Sequence, residues 1–184
     1  MKRSFDVIVS LTFLLLTSPF LLIISVAIAL NSKGGVLFKQ NRVGIRGKEF
    51  PIYKFRSMIS GAEARGPYFT SKGDKRITKV GAFLRKTSLD ELPQLFNVLK
   101  GDMSLVGPRP DLQAQKEFYS EEEWVMRHQV RPGITGYAQA TLRSDATIEQ
   151  RKELDLNYVK ERNFLFDLRI MFLTVKQVVK RGSY

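Results

Sequence analysis

From Val7 to Leu30 the chain runs 24 positions without a charged side chain, interrupted only by Ser10, Thr12, Thr17, Ser18, Pro19 and Ser25. As one helix this stretch extends roughly 36 Å at 1.5 Å per residue, enough for a hydrocarbon layer of about 30 Å. Such a segment predicts a membrane helix, and two features shape it. Pro19 sits near the middle, removes a backbone donor and crowds the carbonyl of Leu15, so the Ser18-Pro19 pair is expected to break or bend the helix. Both flanks are basic: Lys2 and Arg3 precede the segment, and Lys33, Lys39, Arg42, Arg46 and Lys48 follow it. Cationic flanks favour the cytoplasmic side. A straight span satisfies that preference at one end only; a helix that enters, turns at Ser18-Pro19 and returns satisfies it at both, with the hydroxyls of Thr17 and Ser18 taking up freed carbonyls. The expectation is a re-entrant anchor over residues 1–32 and a cytoplasmic catalytic domain over 33–184. A kinked spanning helix is the main rival, and a cleaved leader with Ala27-Ile28-Ala29 at its end is a weaker one.

The 184 residues carry 30 Lys and Arg against 18 Asp and Glu, a formal charge of +12, with no cysteine and one histidine, His128. Disulfide scaffolds, thiolate-ligated zinc and thiol catalysis are thereby excluded. The cationic excess points to nucleic acid, anionic lipid or phosphorylated small molecules as partners. Outside residues 1–30 it amounts to 28 basic against 17 acidic side chains. No RNP-like aromatic motif, helix-turn-helix pattern or zinc finger accompanies it, so nucleic acid is not expected.

Beyond Asn31, Val36 to Gln40 and Phe50 to Phe55 are short β-branched and aromatic segments around a loop with Gly44 and Gly47, which predicts a β-hairpin. Helices are expected over Pro93 to Leu99, closed by Gly101, over Ser120 to His128, opened by a Ser120/Glu123 capping box, and over Asn163 to Arg181. Pro108, Pro110, Pro132, Gly133 and Gly136 mark two stiff non-helical loops. The last helix carries an apolar stripe of Phe164, Leu168, Met171, Val175 and Val178, suited equally to the core or to a membrane interface.

The densest chemistry lies between Lys86 and Pro110. Asp90 and Glu91 are adjacent carboxylates just ahead of Pro93, with Arg85, Lys86, Lys100 and Arg109 around them in sequence. One reading is structural: Ser88 caps a helix and Glu91 completes its capping box. The other is chemical. Pro108 and Pro110 hold Arg109 on a stiff segment, which reduces the entropy it loses on gripping phosphate, and its planar fork suits phosphate oxygens. An ionised Asp among cations can ligate a hard cation, accept a proton or attack phosphorus. Phosphoryl transfer fits best, because it needs chiefly magnesium, cationic clamps and a positioned nucleophile. Lys54, Arg85 and Asp155, taken alone, are ordinary surface or helix-pairing charges.

The segments KRSFDV, QNRVGIRGKEFPIYKFRSM, GDKRITKVGAFLRKTSLDELPQLFNVLKGDMSLVGPRP, RPGITGYAQ and FLFDLRIMFLTV together resemble a bacterial sugar transferase of the small monotopic phosphoglycosyl transferase type. The resemblance covers nearly the whole chain. It implies an α+β, mainly helical monotopic membrane protein with a re-entrant N-terminal helix, amphipathic interfacial helices and a small β-hairpin, on the cytoplasmic face of the bacterial inner membrane. It implies magnesium-dependent transfer of a sugar 1-phosphate from a UDP-sugar to undecaprenyl phosphate, with release of UMP, in the first membrane step of glycan assembly. Asp90 falls on the nucleophile and Glu91 on its partner. Lys54, Arg85, Arg109 and Arg143 fall on substrate and phosphate contacts, and Asp90, Glu91 and Asp155 on the metal. One stretch departs from the pattern: where the family commonly reads Val-Asn-Gly-Arg, this chain has Ala140-Thr141-Leu142-Arg143. The change alters local turn chemistry and bears on sugar or nucleotide contacts rather than on reaction type. A non-enzymatic, membrane-tethered basic module binding anionic lipid or nucleic acid is the competing reading.

Overall fold

A computed structural model describes residues 1–66, 70, 73–142 and 146–181. The expected class is found: α+β, mainly helical, opened by a long apolar helix, α1 (Lys2–Asn31). A two-stranded antiparallel sheet follows, β1 (Leu37–Val43) and β2 (Glu49–Phe55). Next come α2 (Lys79–Thr87), α3 (Gln94–Lys100), β3 (Ser104–Val106), α4 (Glu121–Arg127), β4 (Gly133–Thr135), α5 (Tyr137–Thr141), α6 (Ile148–Glu161) and α7 (Phe164–Arg181).

Helix α1 is long and apolar enough to cross a membrane by length and composition. It is helical from Lys2 to Asn31, Ser18-Pro19 included. The local chemistry explains this continuity. Pro19 cannot donate to the Leu15 carbonyl, and the Ser18 hydroxyl does so instead at 2.9 Å, while Thr17 donates to the Phe13 carbonyl at 2.7 Å. One face of α1, including Asp6, Ser10, Leu14, Ile24 and Ile28, is buried against the rest of the chain. Ile8, Leu11, Leu15, Leu16, Leu22, Ile23 and Leu30 are exposed.

Both ends of α1 are fastened to the same body. At its start Lys2 pairs with Asp167 at 2.6 Å, Arg3 donates to the Val98 and Leu99 carbonyls, and buried Asp6 accepts from the Ser104 hydroxyl at 2.8 Å. At its finish Arg56 donates to the carbonyls of Ser32 and Lys33 at 2.6 and 2.7 Å. Those carbonyls follow the helix end and have no partner within it, so a buried guanidinium is an effective stop.

The β-hairpin forms as the alternating pattern predicts, with Leu37 opposite Phe55 and Val43 opposite Glu49. Arg46 (φ 57°) and Gly47 (φ 74°) turn the chain between the strands. Its buried side chains Phe50 and Ile52 pack on Val98 and Met103. Phe55 joins Leu84 of α2 and Ile24 and Ile28 of α1. The largest cluster brings Leu14 of α1 together with Leu95, Leu105, Val106, Tyr158, Val159 and Ile170.

Helix α3 ends, as expected, at a left-handed glycine, Gly101 (φ 94°), and α4 opens with the Ser120/Glu123 capping box. The two proline-glycine loops differ from expectation in one respect. Gly133–Thr135 is a short strand paired in parallel with β3, Ser104 opposite Gly133 and Val106 opposite Thr135. Three residues are too few to display a two-residue period. The pairing demands bare backbone: a Cβ on Gly107 would lie 2.3 Å from the Arg131 carbonyl oxygen, and one on Gly133 would lie 2.1 Å from the Gly107 nitrogen.

On α7 the core-facing residues are Phe166, Ile170 and Leu173, whereas Phe164, Leu168, Val175 and Val178 of the anticipated stripe are exposed, together with Leu165 and Phe172. Of that stripe only Met171 packs against the core. The Phe164 ring meets Phe5 edge-on at 5.3 Å, joining the exposed apolar surfaces of α7 and α1.

Candidate active site

The last turn of α2, the turn after it, the end of β2 and the loop after β3 converge on one point. Ser88 ends α2 in a left-handed conformation (φ 58°), and a single 3-10 turn, Leu89–Glu91, leads towards α3. The capping-box reading of Ser88 and Glu91 does not hold: no side-chain cap is made there. Ser88 is committed to closing α2, so Glu91 is free to turn its carboxylate inward. Glu91 Oε1 accepts from Lys54 Nζ and from Arg109 Nη2, both at 2.8 Å. Lys54 and Glu91 are largely enclosed and Arg109 is half exposed.

Asp90 is buried, and among the described residues its carboxylate has no hydrogen bond or ion pair. Burial, and secondarily the neighbouring Glu91 charge, push the Asp90 carboxyl up to about 6, against the pull of Lys54, Arg85 and Arg109. For Glu91 burial acts the same way, but the charges and hydrogen bonds of Arg109 and Lys54 override it and hold the carboxyl down at about 2. Two adjacent carboxylates therefore have different tasks available. Glu91 is a permanent anion locked to two cations, and Asp90 is an unpaired, poorly solvated group with the chemistry of a nucleophile or base. The lone histidine does not compete for these roles. Buried His128 stacks on Trp124, contacts its carbonyl through Nδ1, and is lowered to about 4 by burial, so it is neutral.

Arg85 donates through Nε to the buried Ser57 hydroxyl at 2.8 Å, leaving its two terminal nitrogens unengaged among the described residues. Lys54 and Arg109 thus sit on Glu91, and together with Arg85 their charges act on Asp90. Asp155 does not join them. It is buried and accepts from Arg127 Nη2 at 2.7 Å. Arg143 lies outside the described residues. Arg42 was passed over in the sequence as one more basic flank. From β1 it donates to the Pro110 carbonyl at 3.2 Å, and burial, then Arg109, lower it to about 10. Its signal was its place in the QNRVG segment, one strand across from Lys54.

Among the described residues no group of three or more acidic or histidine side chains is gathered to hold a metal. Magnesium is commonly held by one or two carboxylates plus substrate phosphates. Among the described residues the Asp90 carboxylate and the second oxygen of Glu91 have no partner and fit that requirement, while Asp155 already holds Arg127 with one of its oxygens.

A sequence profile of the bacterial sugar transferase family matches residues 1–181. The chain is 45% identical over 192 residues to the UDP-glucose:undecaprenyl-phosphate glucose-1-phosphate transferase of Escherichia coli K12, covering 100% of this chain and 41% of that protein. It is 43% identical over 183 residues to the UDP-N-acetylgalactosamine-undecaprenyl-phosphate N-acetylgalactosaminephosphotransferase of Aeromonas hydrophila, covering 97% of this chain and 43% of that one. It is 45% identical over 194 residues to the exopolysaccharide production protein PSS of Rhizobium leguminosarum, with 100% and 97% covered. With its fold, its paired carboxylates and a match over nearly its whole length, the chain belongs to the bacterial sugar transferase family.

Proposed function

We propose that this protein is a phosphoglycosyl transferase that moves a sugar 1-phosphate from a UDP-sugar to undecaprenyl phosphate and releases UMP. The observation that carries the reading is the buried Asp90 carboxylate, without a partner among the described residues, next to a Glu91 locked between Lys54 and Arg109. The names of the relatives, which act on undecaprenyl phosphate, support it.

The chemistry is a two-step exchange at one phosphorus. An Asp90 oxygen attacks the sugar-bearing phosphorus of the donor. The new O–P bond forms as the bond to the bridging oxygen breaks, and UMP leaves with that electron pair. A phosphate oxygen of undecaprenyl phosphate then attacks the aspartyl phosphosugar and expels the Asp90 carboxylate, regenerating it. No oxidant or net proton is needed. Arg85, with two terminal nitrogens unengaged, and the half-exposed Arg109 neutralise the diphosphate. Lys54 and Arg109 keep Glu91 ionised, and Glu91 in turn keeps the cations from collapsing onto Asp90. Asp90 and Glu91 would hold magnesium, which neutralises diphosphate charge and favours departure of UMP.

The exposed apolar surface of α1 and α7 enters the membrane, and the domain lies against the cytoplasmic leaflet, helped by about 1 kcal/mol for each surface-proximal Lys or Arg. The test is a UMP-release assay across UDP-sugars with undecaprenyl phosphate and magnesium, run on the native chain and on Asp90→Asn. Turnover with at least one donor, abolished in the folded variant, is the expected result. Full activity of Asp90→Asn overturns the nucleophile, and salt-sensitive DNA binding with no UMP release from any donor overturns the enzyme.

A further inference from the structure

The loop that carries Arg109 is held at every carbonyl from Pro108 to Asp111. Pro108 accepts from the Gly133 amide at 2.9 Å, Arg109 from Arg127 Nη2 at 2.9 Å, Pro110 from Arg42 Nη1 at 3.2 Å and Asp111 from the Val43 amide at 2.9 Å. Two of these four bonds come from guanidinium groups reaching across from other elements, Arg42 on β1 and Arg127 on α4. The prolines contribute no backbone donors, and the four carbonyls are all held by these outside contacts.

Arg127 has the greater demands placed on it. Its side chain is 4% exposed and sits between the carboxylates of Asp111 and Asp155, themselves 7% and 6% exposed. A buried cation needs such partners, because an unpaired charge in that position is costly. Nη1 engages Asp111, and Nη2 engages Asp155 at 2.7 Å and the Arg109 carbonyl at 2.9 Å. The fork geometry is what allows one side chain to make all three contacts. A continuous line therefore runs from α6 through Asp155, Arg127 and the Arg109 backbone to the Arg109 guanidinium on Glu91.

We propose that Arg127 is a positioning residue for Arg109, and that Asp155 acts on the reaction through Arg127 rather than as a ligand of the metal. The inference rests on the functional reading above. It reassigns Asp155 from the magnesium site, where the family resemblance put it, to the support of a phosphate clamp. Asp155 and Arg127 set the angle at which Arg109 meets Glu91 and the incoming diphosphate, and small errors in such an angle are expensive in rate.

Two variants keep the buried cluster close to neutral and so preserve the fold. Arg127→Lys retains the cation but has one nitrogen for three acceptors, and Asp155→Asn retains the shape but drops the charge that orients the fork. Each is expected to raise KM for the UDP-sugar by on the order of tenfold and to leave the magnesium concentration for half-maximal activity unchanged. In an Arg109→Ala background either change should add less than about a twofold loss, because the residue through which it acts is gone. Amide exchange over residues 104–112 should speed up in both variants. A shifted magnesium requirement in Asp155→Asn, fully additive losses with Arg109→Ala, or unaltered exchange in that segment overturns the inference. Absence of UMP release from the native chain defeats the functional reading instead, and the exchange measurement still judges the positioning arrangement without turnover.

Discussion

Asp90 and Glu91 share a peptide bond and part by about four pH units: burial, then the Glu91 charge, raises Asp90 to about 6, while Arg109 and Lys54 overcome the burial of Glu91 and hold it at about 2. In the proposed reaction only ionised Asp90 attacks phosphorus. Donor kcat/KM is therefore expected to rise with pH through an acid limb near 6 and to fall about tenfold per unit below it. Glu91 contributes no limb in that window, since it is ionised throughout. A profile between pH 5 and 9 checks this, and a flat profile across that range, with no acid limb near 6, would contradict the burial of Asp90.

The same elevation makes Asp90 a cost to the fold. A carboxyl whose native value lies above its ordinary 3.8 binds its proton more tightly folded than unfolded. Its stabilising contribution is complete below pH 3.8 and is lost as pH rises through 6. At pH 7.5 the ionised group thus destabilises, by up to about 3 kcal/mol at 1.36 kcal/mol per pH unit. Asp90→Asn removes that charge, so the variant should melt several degrees above the native chain at pH 7.5, with the gap narrowing towards pH 4. Thermal melts in one detergent across this range measure it.

Arg85 and Gly81 depend on the same neighbour. Arg85 is steadied by the Ser57 hydroxyl, and Gly81 packs so closely that a Cβ would lie 1.9 Å from the Ser57 carbonyl oxygen. Ser57→Ala should cost under about 1.5 kcal/mol of stability yet raise donor KM several-fold by loosening Arg85. Gly81→Ala must push α2 off the strand end, a backbone clash expected to cost more than about 3 kcal/mol. Denaturant melts and steady-state kinetics on the two variants separate these effects.

Elements with a strong local period or punctuation were legible from residue order: α1, the hairpin, α3 with Gly101, α4 with its capping box and α7. The pairing of β3 with β4 was not, because three-residue strands carry no period and the contact joins residues distant in sequence. Arg85 and Arg109 were legible as cations near an acidic pair in sequence, whereas Lys54, 36 residues away, came to the site only through the family resemblance. The ionic state of that pair was not legible, since it depends on which cation reaches which oxygen. Asp155 shows the limit most sharply. The family resemblance points from this acid to a metal, and only the fold reveals that one of its oxygens pairs with Arg127. On α7 the apolar stripe and the core face lie on nearly opposite sides of one helix, and hydrophobicity alone does not say which side meets the core.

The two fastened ends of α1 bear on how this protein meets its membrane. Lys2, Arg3 and Asp6 bond to Asp167, Val98, Leu99 and Ser104, and the carbonyls of Ser32 and Lys33 bond to Arg56. Crossing the bilayer would require one of these sets to be torn from the body that holds the other, exposing Asp6 or Arg56 without its partners. That is several broken charge-assisted bonds, each worth about 1.5 to 3 kcal/mol. Single cysteines in place of exposed Ser4 and Lys33, in this otherwise cysteine-free chain, should therefore both react with an impermeant maleimide added to inside-out vesicles, and neither should react in intact spheroplasts. Labelling of the two positions from opposite sides would mean that α1 spans, and that the contacts at one of its ends do not survive in the bilayer.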